Sequence, residues 1–164
     1  MSDFFYLASQ SPRRKEILDA LRAPYRLLNL VEGPGDNADF DETPIPNELP
    51  THYVNRVSLL KASAAWRHLV DHRLPKAPVL TVDTTVTLDD KILGKPEDAE
   101  DARIMLQRLS GREHQVLTAV TMKQGGEIHQ TLSMTNVCMQ SLSESNIERY
   151  IQTAEPFGKA GSYG

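Results

Sequence analysis

Asp83 is the residue whose position most needs a chemical explanation. It stands inside Val79-Leu80-Thr81-Val82-Asp83-Thr84-Thr85-Val86, a β-branched run with the composition of a buried central strand. A carboxylate there costs several kcal/mol, in order of magnitude, unless it is paired, hydrogen-bonded or bound to a metal. A structural Asp bonded to backbone N–H groups is one way to meet that cost; an acid–base or metal-binding group is the other. Thr84 and Thr85 are expected to add hydroxyls at the same strand end. Basic residues gather elsewhere. In Ser9-Gln10-Ser11-Pro12-Arg13-Arg14-Lys15-Glu16, Ser11 has the type of a helix N-cap and Pro12 suits the first helical position. Arg13, Arg14 and Lys15 then crowd a first turn where the helix dipole prefers acids, and Arg14 stands where a capping box would place Glu or Gln. An anion offsets that repulsion, so the segment reads as a phosphate cradle, with a solvated basic turn as the plain alternative.

Lys95 lies in Leu93-Gly94-Lys95-Pro96, where Gly94 would let the backbone approach a ligand and Pro96 fixes the turn. A lysine held in this way meets phosphate as a point charge. The chain has no Walker A pattern and no dinucleotide-type glycine fingerprint. Its five histidines and single cysteine show no metal-ligand spacing. Carboxylates such as Asp83 and Glu42, completed by phosphate oxygens, suit a hard cation, Mg²⁺ or Mn²⁺. Cys138 falls in an alternating strand pattern and reads as a small apolar filler.

The elements that must carry these residues follow from periodicity. Strands are expected at 4–8, 25–31, 79–88, 91–93, 115–122 and 128–139, and helices at 12–21, 51–70, 99–109 and 143–152. The expected apolar stripes are Ile17, Leu18 and Leu21 in the first helix, and Tyr53, Val54, Val57, Leu60 and Ala64 in the second, with Arg56 and Lys61 flanking. Ile104, Met105 and Leu109 are the stripe of the third. Between Arg26 and Arg56 there is no Lys or Arg and there are six acids, of which Glu32, Asp36 and Asp39 read as a solvated loop. Strands mixed with helices, some joined by hairpins, give an α/β fold with a mixed sheet.

Bulk properties bound the class. One hundred and sixty-four residues suit one domain with a hydrophobic core. A net charge of −4 argues against non-specific nucleic-acid binding but leaves room for one small anionic ligand. One cysteine allows no intrachain disulfide, which fits a reducing cytoplasm. No apolar run is long enough to span a bilayer, and the first residues lack a signal-peptide layout.

Taken in order, these pieces resemble the Maf family of nucleoside triphosphate pyrophosphatases. The matching segments are Leu7-Ala8-Ser9-Gln10-Ser11-Pro12-Arg13-Arg14, Asp41-Glu42-Thr43-Pro44, Tyr53 with Arg56 and Lys61, Asp83-Thr84 and Leu93-Gly94-Lys95-Pro96. Leu109-Ser110-Gly111-Arg112-Glu113-His114, Glu155-Pro156 and Lys159-Ala160-Gly161-Ser162-Tyr163-Gly164 complete the set, which covers nearly the whole chain. The resemblance implies a mixed, twisted sheet flanked by helices, in two lobes around a nucleotide cleft, with residues 1–164 as one domain. It implies hydrolysis between the α- and β-phosphates with a divalent metal. Asp83 would be the catalytic acid–base residue, with Glu42 and Lys95 in the same site and Glu42 and Asp83 as metal ligands. Ser9, Arg13, Arg14, Lys61 and Lys159 would meet phosphate. Arg14 and Thr84 match the branch acting on dTTP and UTP; the 7-methyl-GTP branch has Trp and Gln where Arg13 and Thr84 stand. A nucleotide-binding regulator linked to septum formation is the alternative from another class, and a generic nucleotide-fold protein a third.

The expected partner is a nucleotide, with neither nucleic acid nor membrane, and a homodimer is left open. Family members continue beyond the position of Gly164 with Ile-Gln-Gly and a further segment. A chain of these 164 residues is therefore expected to be poorly active and prone to associate through an open strand edge, with Tyr163 short of packing partners.

Overall fold

The computed structural model describes residues 3–31 and 39–164. The expectations for Glu32 and Asp36 lie outside the described residues. The elements run β1 (Phe5–Leu7), α1 (Pro12–Ala20), β2 (Tyr25–Leu27), α2 (Pro50–Asp71), β3 (Val79–Leu88), β4 (Lys91–Leu93), α3 (Ala99–Leu109), β5 (Glu113–Gln124), β6 (Glu127–Cys138) and α4 (Glu144–Gln152), then a 3₁₀ turn at Ala160–Ser162. Among the described residues the sheet has six strands, in the order β2-β1-β3-β5-β6 with β4 paired to β3. β1 is parallel to both β2 and β3, whereas β4 is antiparallel to β3, so the sheet is mixed as expected. Asp89 and Asp90 both adopt positive φ, the backbone of a tight hairpin turn, and this returns β3 into β4.

The chain divides into two compact units, one of residues 1–47, 55–83 and 119–132 and one of residues 48–54, 84–118 and 133–164. In the first, the second half of α2 supplies Ala64, Ala65 and Leu69 to a core with Tyr6, Ala8, Leu28, Leu30, Ala77 and Val79. In the second, Ala102 and Leu106 of α3 pack on Ile147 and Ile151 of α4, and Val86, Leu88, Leu93 and Leu109 form a further cluster.

Several burial expectations need correction. α1 has no buried residue, and Ile17 and Leu21 are 59% and 70% exposed. Periodicity identified the helix, but among the described residues its stripe is at most half-buried, at Leu18. Leu60 and Ile104 are exposed too, while Ala62, Leu69, Ala102 and Leu106 are buried in their place. Cys138 is exposed rather than filling a core, because β6 ends the strand order and is exposed along nearly its whole length. Thr84 and Thr85 lie mid-strand, since β3 continues to Leu88. The first two strands are shorter than expected.

Tyr163 is not short of partners. It packs on both clusters of the second unit, stands edge-on to the His114 ring, and shares a 2.6 Å hydrogen bond with His114 Nε2. Burial pushes the His114 imidazole below its ordinary value. The unfolded chain therefore binds the proton more readily, and stability rises with pH. This contribution is complete above about pH 6.5 and is lost as pH falls from there towards the lower folded value. The urea midpoint should accordingly fall more steeply between about pH 7.5 and about pH 5.5 in the wild type than in His114→Gln. Parallel slopes would remove His114 as a cause.

Candidate active site

The site is built in the first unit from four pieces of chain: the corner and first turn of α1, the segment 39–43, and the facing residues of α2 and of β3. Ser9 does the work at the corner. Its Oγ accepts from the Ser11 N–H at 3.3 Å and from Arg14 Nη1 at 2.9 Å. Ser11 occupies the N-cap position but its side chain makes no capping bond, so the helix start is tied through Ser9 instead. Arg14 is half-buried, whereas Arg13 is exposed. Burial draws the Arg14 guanidinium below its ordinary value, against the pull of Asp83 and Glu42. Of the two arginines, Arg14 is thus the one drawn into the charge cluster.

The segment carrying Glu42 is pinned at both ends. Asp39 closes back on Val31, accepting the Val31 N–H through Oδ2 at 2.7 Å and donating its own N–H to Val31 O at 2.7 Å. Asp41 Oδ1 accepts from the Thr43 N–H at 2.8 Å and from Thr43 Oγ1 at 2.6 Å, a local turn that presents Glu42. These bonds hold the Asp41 carboxyl below its ordinary value. Three cations of α2 complete the attachment. Arg67 donates to Asp39 O at 3.2 Å, Arg56 donates to Thr43 O at 3.2 Å, and Lys61 forms an ion pair with Glu42 and lies 5.6 Å from the centre of the Phe40 ring.

Alternation along β3 turns Val79, Thr81 and Asp83 to one buried face. Asp83 is only 6% exposed, and its Oδ1 accepts from Lys61 Nζ at 2.7 Å. The buried carboxylate is therefore met by an ammonium. Buried hydroxyls set the register of α2 against β3. Thr81 Oγ1 donates to Ser58 O at 2.8 Å, and the Ser58 and Thr121 hydroxyls share a 2.8 Å bond. Gln130 Nε2 donates to Thr121 Oγ1 at 2.8 Å and to Asn55 O at 2.9 Å. Ser58 lies one turn before Lys61 and Thr81 two residues before Asp83, so this network fixes the backbone from which the pair projects.

Glu42, Asp83, Lys61 and Arg14 together carry two negative and two positive charges, a neutral cluster. Glu42 Oε1 and Asp83 Oδ1 both face one ammonium nitrogen. Two hard oxygens converging on one cationic centre fit a hard divalent cation, since Mg²⁺ commonly takes one or two protein carboxylates and completes its shell with water and phosphate.

Ser9, Arg14, Glu42, Lys61 and Asp83 are thus assembled in one unit. Thr84, Lys95 and Lys159 belong to the second. There Thr84 and Thr118 share a 3.1 Å hydroxyl bond, Lys95 is exposed beyond β4, and Lys159 pairs with Glu155 through its carboxylate and its backbone carbonyl. Within that unit the Gly94 carbonyl accepts the Gly161 N–H at 3.0 Å. Sequence reasoning ranked Lys61 below Lys95 and gave no role to Ser58 or Thr81. The available signal was the flanking of the α2 stripe by Arg56 and Lys61.

The fold is shared with the Ham1 protein of Staphylococcus aureus, with a TM-score of 0.52 at 12% identity over 82% of this chain and 71% of that one. Within that broader α/β class the sequence is more specific: residues 4–164 match the Maf-like protein model, and the chain belongs to that family. A dTTP/UTP pyrophosphatase of Cupriavidus pinatubonensis is 48% identical over 164 residues, covering 100% of this chain and 81% of that protein. A Burkholderia pseudomallei protein of the same description is 50% identical over 162 residues, covering 98% and 77%.

Proposed function

We propose that this protein is a nucleoside triphosphate pyrophosphatase. It hydrolyses dTTP and UTP, with modified pyrimidine nucleotides, to the monophosphate and pyrophosphate. The observation that carries the reading is the Glu42–Lys61–Asp83 constellation beside Arg14, with Asp83 buried and its partners half-buried, in a chain about half identical to proteins described as dTTP/UTP pyrophosphatases. Water attacks the α-phosphorus, the bridging bond to the β-phosphate breaks, and pyrophosphate leaves. Asp83 accepts the proton of the attacking water. Arg14, held by Ser9, donates to phosphate oxygens, and Arg13 adds charge at the rim. Lys61, Lys95 and Lys159 are further phosphate contacts. A divalent cation, Mg²⁺ or Mn²⁺, held by Glu42 and Asp83, would neutralise charge developing on the phosphates. Positioning and charge stabilisation of this sort account for most catalysis of phosphoryl-type transfer. Arg14 and Thr84 set the pyrimidine preference. The lone cysteine supports a reducing compartment, and the reading includes a cytoplasmic location.

Turnover of a nucleotide panel tests it. dTTP and UTP should react faster than 7-methyl-GTP, GTP or ATP, and a chelator should stop the reaction. Preference for the methylated purine would overturn the assignment to the pyrimidine branch. Binding of nucleotide without turnover of any would favour a regulatory protein.

A further inference from the structure

Lys61 occupies an unusual place for a phosphate-binding lysine. Its ammonium does not project into solvent to await an anion. It is 12% exposed and held between Glu42 Oε1 and Asp83 Oδ1, the two oxygens that suit a divalent cation. A cation drawing on the same two oxygens competes with Nζ for the space between them, and two cations held that close repel each other severely. The cluster is already neutral with Lys61 in place, so a free divalent ion gains little by entering unless the ammonium leaves. The surroundings favour movement of the side chain alone. The backbone that carries Glu42 is held by the Asp41–Thr43 turn and by Arg56 on Thr43 O, and the backbone that carries Asp83 by the strand and the Thr81–Ser58 bond two residues away. The lysine stem, with four rotatable carbons, is the mobile member.

We propose that Lys61 is an exchangeable counter-ion. It holds the carboxylate pair neutral in the nucleotide-free protein and yields its position to the divalent cation, its ammonium passing to the phosphate oxygens that arrive with that cation. This rests on the reading of Glu42 and Asp83 as the cation's carboxylates. One consequence separates it from a simple phosphate contact. Removing Lys61 should strengthen binding of the bare cation while weakening turnover, two effects of opposite sign.

Mn²⁺ binding to the full chain without nucleotide is the test, followed by the loss of the free-ion resonance in electron paramagnetic spectra. Lys61→Met should bind Mn²⁺ roughly tenfold or more tighter than wild type, as expected when a like charge is removed from the ion's own position. Lys61→Arg, which keeps the charge, should not. Equal or weaker binding by Lys61→Met, or none, would overturn the proposal. A second measurement needs no variant. Reductive methylation of wild-type lysines, read by peptide mass, should show Lys61 slow without Mn²⁺ and faster with it, relative to the other lysines. An unchanged Lys61 rate at saturating Mn²⁺ would equally overturn it. Neither readout depends on turnover. Tighter Mn²⁺ binding in a protein that releases no pyrophosphate would leave the exchange standing and remove the pyrophosphatase reading. Pyrophosphate release with unchanged Mn²⁺ affinity would do the reverse.

Discussion

Asp83→Asn should lower turnover by about 10²-fold or more, the usual contribution of a positioned general base, while leaving the urea midpoint little changed. The substitution is nearly isosteric. Its carbonyl oxygen can still accept from Lys61 Nζ, so the contact that reconciles this buried position with the ammonium survives in neutral form. Glu42 continues to balance Lys61. What disappears is the second negative charge, on which proton acceptance and cation binding both depend. Fold and function should therefore separate at this position. A variant that kept most of its rate would make Asp83 a structural ion-pair residue and return the catalytic assignment to Glu42.

The largest effect on stability is expected at Gly161→Ala, far in character from any catalytic change. Gly161 has φ of +69°, a conformation that costs an L-residue about 1–2 kcal/mol. An added Cβ would lie 2.8 Å from Val86 Cγ2 and 2.9 Å from Val86 Cβ. Val86 belongs to a buried stretch of β3, and its Cβ cannot swing aside as the tip of a flexible side chain can. The Gly161 N–H also donates to Gly94 O at 3.0 Å, so retreat of the turn would break a bond. Strain and overpacking together should cost about 2–4 kcal/mol. Chemical denaturation with Gly158→Ala as the control checks this: Gly158 also has positive φ, but a Cβ there meets nothing within 4 Å. Equal losses in the two variants would show that backbone strain alone decides, and that contact with Val86 does not matter.

The fold was legible where a segment states its own period and its own stops. α3 runs from Ala99 to Leu109 as read, with Asp98 rather than a more distant residue capping it, and β3 and β4 fall at their expected residues around Asp89-Asp90. α4 also falls where its period places it, with Ser143 as its cap accepting from the Asn146 N–H. Which face of a helix is covered was less legible. Ile17, Leu21 and Ile104 lie on apolar stripes, yet burial depends on what the rest of the chain brings against them, and period alone carries no such information. Cys138 failed for the same reason, because alternation predicts one covered face and an edge strand need not have one.

The site divides along the same line. Asp83 was conspicuous because a charge inside a β-branched run is expensive whatever surrounds it. Glu42 and Arg14 were readable from their motifs. Lys61 was readable only as a phosphate contact, since a lysine beside a helical stripe normally faces water, and only the register of α2 on β3 turns this one towards two carboxylates. That register is fixed by Ser58, Thr81 and Thr121, three hydroxyl residues whose meaning depends on one another across more than sixty positions of sequence.

The central claim is attack by water on the α-phosphorus of a nucleoside triphosphate with pyrophosphate as the leaving group. Hydrolysis of dTTP by this protein in ¹⁸O-labelled water with Mg²⁺ tests it most directly when both products are identified by mass. The account predicts dTMP carrying the label on its phosphate and pyrophosphate carrying none. Labelled pyrophosphate, or dTDP formed with orthophosphate, would contradict it.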